Sequence, residues 1–151
     1  MKRTSSKSTS EISPRDLLIL ALAVSLIAAI YLLTSRFTYT IGFPLDDSWI
    51  HQTYARNLAL NSEWAFRAGI PSAGSTAPLW SALLAIGFLF NLSPYLWAYF
   101  LGSLTLFALA ILCEWAVRKL VNSYRPHFPW VGIFIAFEWH LVWAGMSGME
   151  T

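Results

Sequence analysis

The sequence predicts an all-α, polytopic membrane protein with about three transmembrane helices and a long outer loop containing juxtamembrane helices. Three observations predict it. The 151 residues are 56% hydrophobic and 12% charged, about half the charge of an ordinary soluble domain, and their mean hydropathy is +0.53. The apolar residues are gathered into runs at 17–33, 78–92, 95–117 and 129–144. Lys and Arg stand mostly outside those runs. The net charge of +2 is too small to point to nucleic acid, and no basic, aromatic-lined groove is spelled out. The single cysteine, Cys113, excludes an intramolecular disulfide and reads as a small packing residue. There is no internal repeat.

Residues 1–16 are Ser-, Thr- and Lys-rich and are expected to be a disordered tail. Lys2, Arg3, Lys7 and Arg15 precede the first apolar run, which puts this end in the cytoplasm. The run at 17–33, with its flanks to about 35, is long enough to span a bilayer. A signal peptide is the rival reading. Its apolar region would be shorter and followed by a small-x-small cleavage site, whereas TSRFTYTIGFP follows here. An uncleaved signal anchor fits better.

Residues 36–94 form the outer loop. Its length, with its Trp, Tyr and Phe content, points to a folded functional segment rather than to disorder. Pro44 stops any upstream helix, and a helix-compatible run, DDSWIHQTYARNLA, starts at Asp46. Adjacent carboxylates repel unless a cation or hydrogen-bond donors satisfy them. At a membrane surface such a pair is a candidate general base or cation site. The plain alternative is a helix start, because Asp favours the N-cap and acids suit the first turn. Asp47, His51, Tyr54 and Leu58 share one helical face, with Arg56 off it. His51 reads as a ligand, a proton shuttle or a solvated or capping histidine. Gly69, Pro71, Gly74 and Pro78 punctuate the turn PSAGSTAPLW.

The run at 78–92 is apolar but short for a crossing, which needs ~20 residues. It either crosses or lies along the membrane. Residues 95–117 are a clear span, and 129–146 is the third. Charge separates the two layouts. If 78–92 crosses, Lys2, Arg3, Lys7 and Arg15 stand inside against six basic residues outside. If it lies on the outer surface, Arg118, Lys119 and Arg125 join the inside, leaving Arg36, Arg56 and Arg67 outside. The positive-inside rule prefers the second layout, in which the third span delivers Gly148, Met149 and Glu150 to the face carrying Asp46 and Asp47. Glu114 stands four residues before Arg118, the spacing of a helix ion pair. Glu138 and His140 lie inside the third span, where ionisable groups are either functional or paired with another helix. Trp130 and Trp143 read as interface anchors.

The order signal anchor, DDSWIHQTYARNLA, WAF, PSAGSTAPLW, span and GMSGMET resembles the N-terminal part of bacterial GT-C glycosyltransferases. The likeness is to the mannosyl-, arabinosyl- and aminoarabinosyl-transferase-like members and runs from about Leu17 to the end. It implies a multi-pass enzyme of the inner (cytoplasmic) membrane, with a cytoplasmic N-terminus. Such an enzyme takes a sugar from a polyprenyl-phosphate donor and gives it to a glycan, lipid or protein acceptor outside that membrane. It implies a catalytic acid at Asp46 or Asp47, with Asp46 favoured, and a further acid at Glu150. It implies a donor-phosphate contact at Arg56, with His51 and Tyr54 as supporting neighbours. An inverting transfer needs a carboxylate to take the acceptor proton and positive charge, or a metal, at the leaving phosphate. A divalent cation, if one is used, would sit at Asp46 and Asp47. No Cys/His cluster indicates zinc. Members of the family are several hundred residues long, so the chain is expected to be a portion that is inactive alone. The alternative is a non-enzymatic small integral membrane protein or assembly subunit. A transporter half fits the spans but not the aromatic loop with its acid pair.

Overall fold

The structure, a computed structural model, describes residues 11–38, 40–121, 123–124 and 126–149. Lys2, Arg3, Lys7, Arg125 and Glu150, which carried parts of the charge and site arguments, lie outside the described residues. Among the described residues the regular structure is helical, apart from one isolated bridge between Arg67 and Ile70. The helices are α1 (Pro14–Thr38), α2 (Asp47–Asn61), α3 (Pro78–Leu89), α4 (Pro94–Leu120), α5 (Trp130–Phe137) and α6 (Trp139–Met146). Two of them, α1 and α4, are long and apolar enough to cross a membrane.

Local sequence sets the boundaries. Ser13 and Asp16 form a reciprocal cap at the start of α1: Asp16 N–H donates to Ser13 Oγ (3.2 Å) and Ser13 N–H to Asp16 Oδ2 (3.1 Å). Proline opens both α3 and α4, where its missing N–H costs nothing. After α3, Asn91 takes a left-handed conformation (φ 53°). Its N–H then bonds Phe88 O (3.2 Å), and Leu92 N–H bonds Gly87 O (2.9 Å). This pattern turns the chain sharply into α4.

The helix ends fix the directions. Arg118, in the last turn of α4, reaches Asp16 in the first turn of α1, so the two run antiparallel. Glu114 ties in the third partner. Its Oε1 accepts from Arg118 Nε (2.7 Å), and its Oε2 accepts from the N–H groups of Val131 (3.0 Å) and Gly132 (3.1 Å) at the start of α5. The pairing of Glu114 with Arg118 is the one their spacing predicts, and Asp16 is a third member. Burial, and then the Glu114 carboxylate, push the nearby Tyr124 phenol above its usual range. Beyond this cluster α1, α4 and α5 close on Gly132, where an added Cβ would press on Leu20 and on the Ala110 carbonyl. Ala23, Val24, Leu106, Ala136 and Val142 continue that core.

At the other end α2 and α3 pack together and cover the first turns of α4. Ala55, Trp80, Leu84, Ala85, Ala98 and Leu101 form this second core. With twelve residues, α3 is ~18 Å long. It lies beside the first half of α4: Trp97 Nε1 donates to Leu83 O (2.9 Å).

The apolar run expected as one third span is two helices of eight residues each, α5 and α6. The break is at Glu138, whose backbone is extended (φ −67°, ψ 119°) and whose carboxylate accepts the Leu141 N–H (2.8 Å). An acid that caps the helix following it ends the helix preceding it, and apolar content alone does not reveal that. Further along, α6 crosses α4 so closely that an added Cβ on Gly102 would fall on the carbonyl of Gly145.

The packing sets the cost of three substitutions. Gly102→Ala should lower stability by about 1–3 kcal/mol or more, because backbone rather than a side chain must yield. Gly42→Ala, with nothing within 4 Å of the added methyl, should stay within about 0.5 kcal/mol. Glu114→Ala leaves Arg118 buried with one partner fewer and uncaps α5, and should cost about 3–5 kcal/mol. Unfolding of the purified variants in detergent measures all three.

Candidate functional site

The segment before α2 is held from α4. Tyr99 OH donates to Gly42 O (2.7 Å), and Phe43 packs among Trp49, Tyr95 and Tyr99 at centroid distances of 5.0–5.8 Å. The chain then turns through Pro44 into Asp46. Asp46 occupies the N-cap position, and its carbonyl accepts the Trp49 N–H (2.9 Å). Its carboxylate makes no capping bond. The cause is its backbone: φ −71° and ψ −29° are already helical, whereas a capping side chain needs an extended N-cap residue to fold back on N2 or N3. Asp46 and Asp47 are both exposed. Neither carboxylate has a hydrogen-bond or ion-pair partner among the described residues.

Of the other described acids, Glu11 is exposed before α1, and four are engaged. Asp16 holds Ser13 and Arg118, and Glu63 accepts the Gly69 N–H (2.7 Å). Glu114 caps α5 and holds Arg118, while Glu138 caps α6 and holds His140 (2.7 Å).

The remaining predicted residues take separate positions. His51 and Tyr54 are buried, at 2% and 1% exposure, on the side of α2 that receives the loop 62–77. His51 Nδ1 meets Ser81 Oγ (3.2 Å), which meets Ser75 Oγ (3.0 Å). Tyr54 OH meets Ser72 Oγ (2.7 Å) and accepts the Gly74 N–H (2.8 Å), while its ring packs on Trp64 and Phe66. The serines and Gly74 of PSAGSTAPLW therefore bolt that loop to α2. Arg56 is exposed. From Asp47 it lies nine positions on, ~13 Å along the axis and roughly half a turn round. The fold does not bring it to the acids.

Sequence reasoning missed the groups that aim α2. Ser48 Oγ donates to Ser147 O (2.7 Å), and Trp80 Nε1 donates to Gly148 O (3.0 Å). Both bonds clamp the end of α6 to the α2–α3 layer, so the residues just before Glu150 lie beside the start of α2. Gly148 takes φ 78° and packs so tightly on Phe43 that a side chain there would clash. Gln52, one helical turn after Ser48, buries its amide at 3% exposure without a protein partner among the described residues. The serine signal was legible only as polarity; its partners stand about 70 to 100 positions away.

No family model, curated protein or solved structure matches the chain.

Among the described residues no three His, Cys, Asp or Glu side chains are placed to hold a metal ion. A cation on Asp46 and Asp47 would take its remaining ligands from water or from a substrate phosphate, as hard cations commonly do. A groove of about 580 Å³ runs between α1 and α6, lined by Tyr31, Thr34, Thr38, Phe43, Trp139 and Trp143. Its Phe43–Pro44 end is two residues from Asp46. This volume is within the usual range for a ligand pocket, and its walls are mostly apolar.

Tyr54→Phe removes the bond to Ser72 and leaves the Gly74 N–H unmet. It should cost about 1–3 kcal/mol. Amide exchange over 66–74 should rise, with the α1 and α4 amides unchanged.

Proposed function

We propose that the chain is the catalytic-loop portion of a membrane glycosyltransferase of the GT-C type. In this reading it uses a polyprenyl-phosphate sugar on the outer side of the cytoplasmic membrane, with α1, α4 and the α5–α6 pair embedded. The N-terminus is then cytoplasmic, and the Glu114–Arg118–Asp16 cluster lies at the inner end. The observation that carries the reading is the state of Asp46 and Asp47. They are exposed and, among the described residues, unpartnered, on a helix held from three sides, while Asp16, Glu63, Glu114 and Glu138 each hold a backbone N–H or a cation.

The chemistry then runs as follows. One carboxylate, Asp46, takes the proton of the acceptor hydroxyl. The hydroxyl oxygen attacks the anomeric carbon as the bond from that carbon to the phosphate oxygen breaks. The anomeric centre inverts, and the polyprenyl phosphate leaves with the bonding pair. Asp47 orients the acceptor or would hold a divalent cation, which would supply positive charge at the leaving phosphate. The groove beside Phe43 supports a substrate with a hydrocarbon tail. His51 and Tyr54 keep the loop on α2 and act only through position. Arg56, on the far side of α2, contributes charge at the surface rather than a contact at the acids.

The rival reading, a non-enzymatic small integral membrane protein, draws on the structural use of His51 and Tyr54. Transfer from a polyprenyl-phosphate sugar, assayed with the complete enzyme that this reading requires as wild type, Asp46→Asn and Asp47→Asn at matched folded protein, separates the two. Asp46→Asn should cost 10²- to 10⁴-fold in rate, the usual range for loss of a general base, with little change in stability. No transfer by wild type, or undiminished transfer by both variants, favours the rival.

A further inference from the structure

The groove between α1 and α6 ends at Phe43 and Pro44, and the acids begin two residues later. Trp49 occupies the step between them. Its ring meets Phe43 at a centroid distance of 5.4 Å and Tyr95 at 5.6 Å, both in edge-to-face contact. Phe43 and Tyr95 also meet each other, at 5.0 Å, so a closed set of three rings holds the indole. At its other side the Trp49 backbone N–H donates to Asp46 O (2.9 Å). Asp46 already has helical φ and ψ. Three positions apart, its side chain and that of Trp49 are therefore neighbours on the helix surface, with Cβ atoms about 5–6 Å apart. Yet Trp49 is 45% exposed, and its indole N–H has no acceptor among the described residues. The ring is fixed without being covered.

We infer that Trp49 is the platform on which the sugar of the polyprenyl-phosphate donor lies, an inference that rests on the glycosyltransferase reading. Inversion requires the acceptor oxygen and the leaving phosphate oxygen to stand on opposite sides of the anomeric carbon. With Asp46 at the acceptor and the hydrocarbon tail in the groove, the sugar ring lies between Asp46 and Phe43. The Trp49 indole is what the chain places there. A sugar ring is amphipathic: its C–H bonds make an apolar face, and its hydroxyls stand round the rim. An exposed indole takes the apolar face, and its N–H donates to a hydroxyl. The contact is made equally in the ground state and during transfer, so it lowers the donor KM and leaves kcat to Asp46. A tryptophan that merely anchors the chain at the membrane interface answers to lipid and not to sugar.

The test is hydroxyl-radical footprinting of the wild-type complete enzyme, read residue by residue by mass spectrometry. The probes are farnesyl phosphate and farnesyl phosphate linked to mannose, arabinose or aminoarabinose. A sugar-bearing probe should protect Trp49 from oxidation, and farnesyl phosphate alone should not. Trp139, which lines the groove, should be shielded alike by the bare and the sugar-bearing lipids. In transfer assays with the same donors, Trp49→Leu should raise the donor KM about tenfold with kcat and the acceptor KM held, and Trp49→Phe, which keeps a ring, should recover most of that loss. Equal protection of Trp49 by bare and sugar-bearing lipids overturns the platform while transfer stands, as does an equal donor KM for Trp49→Phe and Trp49→Leu. Absence of transfer by the wild-type complete enzyme from every sugar-bearing probe overturns the glycosyltransferase reading together with it.

Discussion

Glu114 is the group on which three helices depend. It is fully buried on α4, and all of its capacity is used where chain ends meet. One oxygen takes the Arg118 guanidinium, and the other takes two N–H groups that α5 cannot satisfy within itself. Arg118 passes the constraint on to Asp16, and Asp16 to Ser13. Each member removed from this series would strand the next in an apolar setting, and an unpaired buried charge costs several kcal/mol. The cluster therefore fixes which end of α1 meets which end of α4, and where α5 begins.

The opposite end is held without charges. Ser48, Trp80 and Tyr99 each donate to a backbone carbonyl, at Ser147, Gly148 and Gly42. Ser147 and Gly148 directly follow α6, and Gly42 lies in the connection between α1 and α2, so none of these carbonyls has a helix partner of its own. The contact of Gly102 with Gly145 brings α6 close enough for the clamps to close. Backbone approach of this kind depends on the missing side chains, so it is intolerant of even one methyl.

The sequence revealed the parts that hydropathy and spacing control. Runs of apolar residues gave α1 and α4; the short run at 78–92 gave α3; the four-residue step gave Glu114 with Arg118. It did not reveal the break at Glu138, because one acid barely alters the mean of a long apolar run while its carboxylate decides the local backbone. The face shared by Asp47, His51, Tyr54 and Leu58 was a sound helical inference with an unexpected use. His51 and Tyr54 are spent on Ser81, Ser72 and Gly74, partners 18 to 30 positions away that no local pattern announces. Asp46 was legible as an N-cap, and it occupies that position. What spacing could not supply was its φ and ψ, which withdraw the carboxylate from capping.

A catalytic base has two structural requirements that pull against each other. It must be held in place, because reacting atoms tolerate little misplacement. It must also remain uncommitted, because a carboxylate saturated with fold-making bonds has no lone pair left for a substrate proton. His51, Tyr54 and Glu114 meet the first requirement and fail the second. Arg56 is exposed but stands away from the acids. Asp46 and Asp47 meet both, since their rigidity comes from neighbours rather than from their own side chains: Phe43 and Tyr99 before them, Ser48 directly after. That division of labour is why a change of charge at either acid should leave the frame standing. It is also why the acids, rather than the more elaborate hydrogen-bond networks around His51 and Glu114, are the place to look for chemistry.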